Sequence, residues 1–234
     1  MTKEQIGTLF KLMLEYIPPT LKIFGFTLLW SIPLGMIVAL LKMCKFKPIS
    51  WLTNIYILIM RGTPLLLQLI VAQYSVPYLL KWESCPSFIH SLLDGVDIRS
   101  ASYTFNMLLI AFVLNYAAYF AEIFRGGIEA IPKGQYEAAG ALGFSRGQTF
   151  FRIILPQVIK RVVPASSNEI ITLVKDTSLA SAIPYMEIMY IAKKQVPTYA
   201  SLLPLFMAGV FYFVFATVLT LLFGYIEKKL SYYK

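Results

Sequence analysis

Residues Tyr136–Leu142 read YEAAGAL, and Gly143 follows them. Ala, Glu and Leu are good helix formers, and a glycine directly after such a run stops the helix. A second helical stretch, Arg146–Ile154, is expected to close before Leu155 and Pro156. With Ile131 and Pro132 opening the segment, residues 125–163 read as two short helices joined at a glycine. This projection is too polar to cross a bilayer and too regular for a slack tether. Ala138, Ala139 and Gly140 are small enough to let another surface approach the first helix closely, and would serve equally for packing against the chain's own helices.

On both sides of the projection the chain turns apolar. A spanning helix needs roughly 17–25 mostly apolar residues, because each rises about 1.5 Å through a hydrocarbon core about 30 Å thick. Five stretches meet that test: 21–41, 64–80, 103–124, 164–183 and 202–226. The expected fold class is an all-α integral membrane protein, a single membrane domain over residues 1–234 with five spans. Composition agrees, since 58% of the chain is hydrophobic and 14% charged, against roughly 45–50% and 25% in soluble domains. Trp51–Met60 is a further apolar run, cut off from the second span by Arg61, Gly62, Thr63 and Pro64. It is expected to lie along the interface, because Pro suits a helix start and Trp favours the headgroup level. The first twenty residues carry Lys3, Glu4, Lys11, Glu15, Pro18 and Pro19 and read as an amphipathic lead-in, not a secretory signal.

The net charge of +9 points to orientation, not to nucleic acid, because the cations sit in short loops between apolar stretches. Lys42, Lys45, Lys47, Arg61, Arg125, Lys133, Arg146, Arg152, Lys160, Arg161, Lys228, Lys229 and Lys234 fall on one side of five spans. Lys3, Lys11, Lys22, Lys81, Arg99, Lys193 and Lys194 fall on the other. The positive-inside rule puts the first set in the cytoplasm, with the N-terminus outside and the C-terminus inside. Glu83, Asp94 and Asp97 in the outer loop 81–102 do not contradict it. Cys44 and Cys85 lack the spacing of a disulfide framework or a zinc site, and the lone His90 reads as a solvated loop residue.

Glu137, Ala138, Ala139, Gly143, Ile153, Leu155 and Pro156 stand at the spacing of the EAA motif of permease subunits in bacterial ATP-binding-cassette importers. Three further segments resemble the polar amino-acid branch of that family, the histidine, glutamine and arginine type: RGTPLLLQL at Arg61–Leu69, AYFAEIFRGGIEAIPK at Ala118–Lys133 and NEIITLVKDTS at Asn168–Ser178. The resemblance covers most of the chain from Trp51 to the fifth span; the loop 81–102 departs from it. It implies a type I importer permease in the bacterial inner membrane. Glu137, Ala138, Ala139 and Gly143 would then form a coupling helix docked into a cleft on an ATPase subunit. The implied partners are an ATPase pair that binds ATP and Mg, a second permease subunit, identical or similar, and an external amino-acid-binding protein. The chain itself has no GxxxxGK[ST] phosphate loop and is expected to hold no cofactor or metal and to be no enzyme alone.

Ionisable groups in the hydrocarbon region are costly, so those that occur are usually functional or face a water-filled cavity. Asn115 and Glu122 lie in the third span, and Glu169, Lys175 and Asp176 in the fourth. Glu169 and Asp176, seven apart, share a helix face. An amino acid carries a carboxylate and an ammonium, and Lys175 with Glu169 or Asp176 supplies both opposite signs; Thr177, Ser178 and Asn115 add hydroxyls and an amide. The competing reading is that these charges pair with one another to hold the bundle or snorkel to water. Glu122, three residues before Arg125, is expected to pair with it. Two other classes are weighed. A channel could use Glu169, Lys175 and Asp176 as a selectivity ring; a membrane enzyme would need an HExxH, a GxSxG or clustered His and Cys, and none of these is expected to be present.

Overall fold

The structure, a computed structural model, describes residues 2–82, 86–93 and 95–230. Glu83, Cys85, Asp94, Lys234 and the side chain of His90 lie outside the described residues. The lead-in is α1 (Lys3–Glu15), opened by a capping box between Thr2 and Gln5. It runs into α2 (Ile17–Lys42), with Pro18 and Pro19 in the first turn, where a missing N–H leaves no bond unmade. The helices α3 (Lys47–Gly62), α4 (Leu65–Lys81) and α5 (Ser87–Leu93) precede the long α6 (Ala101–Glu129), which Ser100 caps. Beyond it come α7 (Lys133–Ala141) and α8 (Arg146–Thr149), then a π turn at Phe150–Ile154 that leads into α9 (Leu155–Asp176). A 3-10 turn at Thr177–Ala182, α10 (Ile188–Tyr199) and α11 (Leu203–Leu230) complete the chain.

Among the described residues, three continuous stretches are long and apolar enough to cross a membrane: α1 with α2, α6, and α11. α3 and α4 pass the same test together but are bent by 106° at their break. α9 is long enough, at 22 residues, but carries Lys160, Arg161, Glu169, Lys175 and Asp176, the composition of a helix that faces something other than lipid.

α6 is the axis of the bundle, with Leu108, Phe112, Tyr116 and Phe120 buried along it. Against it packs a stripe of small residues on α2, Thr27, Ser31, Gly35 and Ala39, one every fourth position. Such residues let two membrane helices approach closely. At Gly35 a Cβ would stand 2.7 Å from the Cβ of Phe120 and 3.1 Å from the carbonyl oxygen of Ala117, so no larger residue fits. A second cluster at the far end joins Leu9 and Met13 of α1 to Ile188, Ala192, Ala208 and Tyr212.

Two expectations need correction. The run 51–60 does break from the next helix at Arg61–Pro64, but α3 does not lie flat at a surface. Tyr56 donates its hydroxyl to the carbonyl of Leu114 (2.5 Å), and the Asn115 amide donates to the carbonyl of Met60 (3.0 Å). Leu114 and Asn115 are in the middle of α6, so α3 dives from the basic end to the centre of the bundle, and the bend sits at mid-depth. Its last turn is satisfied by polar partners inside the protein and has no need of the headgroups. The second correction concerns 164–183. The helix begins at Leu155, with Pro156 in its first turn and Pro164 inside it. The stretch 146–154 therefore does not close before Leu155, because a proline at the first turn is compatible with a continuing helix.

Candidate functional site

The bend between α3 and α4 is held by two amides. Gln68 donates to the carbonyls of Met60 (3.0 Å) and Thr63 (3.2 Å) and to the Thr63 hydroxyl (2.7 Å). Its own oxygen accepts from Asn115 at 3.0 Å. These bonds satisfy carbonyls that a broken helix would leave orphaned. Asn115, buried at 4% exposure, thus has both observed bonds directed at the bend. The N-terminus of α4 has Pro64 as its cap residue and no side-chain cap, so it presents free N–H groups at mid-depth.

Facing the bend are the acids of α9. The Tyr116 hydroxyl donates to the Asp176 carboxylate at 2.7 Å, and Tyr116 also lies in the field of Glu169. Arg61, from the last turn of α3, interacts electrostatically with Glu169 and holds its guanidinium 5.1 Å from the centroid of the Tyr119 ring. Glu169 and Asp176 stand two turns apart, about 10 Å along α9, with Tyr116 bonded to the second and Arg61 in the field of the first. Lys175 is exposed beside Asp176. Thr177 and Ser178 are less available. The Thr177 hydroxyl is buried and donates to the carbonyl of Val174 (2.7 Å), and that of Ser178 donates to the carbonyl of Lys175 (2.7 Å).

Arg161, Pro164, Ala165, Asn168, Thr172 and Lys175 are all exposed and follow one another at helical spacing along α9. The exposed faces of the other long helices differ: α11 presents Phe206, Val210, Phe213, Val218 and Leu221, a surface suited to lipid.

Toward the basic end, Glu122 accepts from Arg125 (2.8 Å), as its position predicts, and also from Lys42 of α2 (2.6 Å), with Arg61 at 3.9 Å. Arg125 in turn pairs with Glu129. At that end α7 stops in a Schellman turn. Gly143 has φ +78, the Phe144 N–H reaches the carbonyl of Ala139, and that of Gly143 reaches the carbonyl of Gly140, both at 3.0 Å. Ala139 is buried at 1%, whereas Glu137 and Ala138 are exposed, and Leu142 projects at 75% exposure with Tyr136 and Phe151 near it in sequence. The small residues therefore divide: Ala139 packs on the chain itself and Ala138 faces out.

Some polar residues escape a reading by sequence. Tyr119 and Gln68 stand in the sequence only as parts of a family segment, Arg61 also as a loop cation at the helix break, and Tyr116 in no segment singled out. Glu187, fully buried, accepts from the Tyr212 hydroxyl (2.6 Å) and from the N–H groups of Met189 (2.8 Å) and Tyr190 (2.6 Å), capping α10 and tying it to α11. The expectation that no GxSxG pattern occurs needs correction: residues 143–147 read GFSRG, but Ser145 is the N-cap of α8, accepting from the Gln148 N–H (3.3 Å), and α7 precedes it where a nucleophile elbow has a strand. No group of three His, Cys, Asp or Glu suited to a metal exists among the described residues.

Residues 31–232 match the family described as binding-protein-dependent transport system inner membrane component. The chain is 36% identical over 220 residues to the arginine transport system permease protein ArtQ of Bacillus subtilis (strain 168), covering 94% of this chain and 92% of that one. It is 38% identical over 219 residues to the octopine transport system permease protein OccM of Rhizobium meliloti, covering 93% and 85%. A crystal structure of an amino acid ABC transporter with histidines superposes with a TM-score of 0.77 at 29% identity, covering 98% of this chain and 99% of that one.

Proposed function

The chain belongs to the family of binding-protein-dependent transport system inner membrane components, and we propose that it moves a polar amino acid through the bend between α3 and α4. It is the permease subunit of an ATP-binding-cassette importer. In the proposed site, Glu169 and Asp176 receive the α-ammonium, and Arg61 with the free N–H groups of α4 receives the α-carboxylate. A broken helix at mid-depth offers a charged substrate both a helix end and side chains without exposing orphan backbone to lipid. Asn115, Lys175, Thr177 and Ser178 are proposed at its margin: Asn115 shapes the bend, and Lys175 supplies a cation from the exposed stripe.

Glu137, Ala138, Ala139 and Gly143 are proposed as the ATPase-docking element, with α7 as the lever end and ATP and Mg held by the partner ATPase pair. The exposed Ala138 and Leu142 support this, since they offer a small and an apolar contact at the tip of a rigid turn. The basic end is taken as cytoplasmic, which sets the N-terminus outside and the C-terminus inside. The polar stripe of α9 supports a second permease subunit across the path, because Arg161, Asn168, Thr172 and Lys175 are unfavourable against hydrocarbon. An external binding protein completes the assembly.

The observation that carries the substrate reading is the convergence of Glu169, Asp176, Tyr116 and Arg61 beside the bend. Glu169→Gln and Asp176→Asn are each expected to lower uptake by the complex about 10- to 100-fold, the worth of one charge-assisted hydrogen bond, with basal ATP hydrolysis retained. Uptake at the wild-type rate in both variants would remove these residues from the substrate path.

A further inference from the structure

Between the bend and the basic end, α2, α3 and α6 border an open-sided cavity of about 390 Å³ whose polar lining is Lys42, Asn54, Arg61, Tyr119 and Glu122. That volume falls in the range of about 300–1,000 Å³ of small-molecule sites. No residue of α9 lines it: the close approach of Val162 to Gly127 and the bond of Tyr116 to Asp176 set Glu169 level with Glu122, but outside this lining. The lining charges do not cancel. Lys42 and Arg61 face the single carboxylate of Glu122, while Arg125 has Glu129 as a further partner. Lys42 holds Glu122 closely, at 2.6 Å; Arg61 is the looser partner, at 3.9 Å. Arg61 also interacts with Glu169 on the opposite side, and its ring contact with Tyr119 steadies the guanidinium plane while leaving its N–H edges to take a carboxylate.

We propose that this cavity is a second amino-acid site, an inner station that the substrate occupies after the bend. Arg61 and Lys42 bind its α-carboxylate, the exposed Asn54 amide donates alongside, and Glu122 accepts from its α-ammonium. Arg61 is the shared group: it serves the carboxylate at the bend and then, by a change of side-chain direction, in the cavity. The weak 3.9 Å contact is the one given up when a carboxylate enters, so entry breaks no close ion pair. The inference rests on the bend being the transport site.

Equilibrium binding of radiolabelled arginine and of radiolabelled glutamine to the permease–ATPase complex in nanodiscs, without the external binding protein, tests it. The wild type is expected to bind at least one of them in two classes of site. Asn54→Leu, which leaves every ion pair in place, and Lys42→Gln should each weaken one class about tenfold and spare the other; Glu169→Gln should do the reverse. If Lys42→Gln fails to fold, Asn54→Leu decides alone. A single class, sensitive to Glu169→Gln and indifferent to Asn54→Leu, would overturn the inner station and leave the transport site standing. No saturable binding of either amino acid to the wild type would overturn both.

Discussion

Asn115 is an uncharged residue that acts on charged ones through geometry. Its amide donates to Met60 and Gln68 and so fixes where α3 stops, which sets the position of Arg61 one residue later. Asn115→Leu keeps the volume but leaves the Gln68 amide oxygen without its donor and the Met60 carbonyl with Gln68 alone, at a cost of about 1–3 kcal/mol for the group left without a partner. The thermal unfolding midpoint in detergent is expected to fall and uptake to fall with it, although no charge in the site is altered. An unchanged midpoint would mean that the bend is held by something else. Asn115 was legible as a polar residue within an apolar span, but its partners were not: Met60 and Gln68 are 55 and 47 residues distant in sequence, and no periodicity encodes such a contact. The same holds for Tyr116 and Asp176, joined across 60 residues. Glu169 with Asp176 and Glu122 with Arg125 were readable because each pair lies on one helix, where spacing alone sets the face.

Among the elements, α7 is the clearest case of local sequence deciding structure. Its helix formers, the stop at Gly143 and the left-handed φ there follow from residues within one turn of each other, and the Schellman bonds appear as composition predicts. Gly143→Val forces a β-branched residue into that conformation, at a cost of about 1–2 kcal/mol, and turns the tip that carries Leu142. ATP hydrolysis in reconstituted vesicles is expected to lose its stimulation by substrate, with uptake falling several-fold while the spans stay folded. Coupled hydrolysis at the wild-type level would count against the docking role. In α3 and α9 proline alone does not decide. Pro64 and Pro164 both suggest a helix start, and Pro64 does cap α4 at a true break, whereas Pro164 sits inside a continuing helix. Packing decides between them. Gln68 and Asn115 satisfy the carbonyls released at the break, whereas α9 passes Gly127 of α6 so closely that a Cβ there would meet Val162 at 2.4 Å.

At the scale of the whole molecule the distribution of surface tells the assembly apart from the fold. α11 offers lipid a continuous apolar face, α9 offers a polar one, and α7 projects from the basic end. One chain therefore buries its apolar core but leaves its polar stripe in need of a neighbour or water, which is the condition of half a translocation path. The fold class and the family were open to sequence because both follow from runs of apolar residues and from one short motif. What each surface meets was not, since exposure is a property of the packed bundle. The central claim is that this chain carries an amino acid only when an ATPase drives it from the basic end. Proteoliposomes holding the permease, its ATPase and the external binding protein should accumulate radiolabelled amino acid with ATP on the ATPase side, and neither with ADP nor without the ATPase. Uptake that persists in the absence of ATP or of the ATPase would contradict the account and identify a channel.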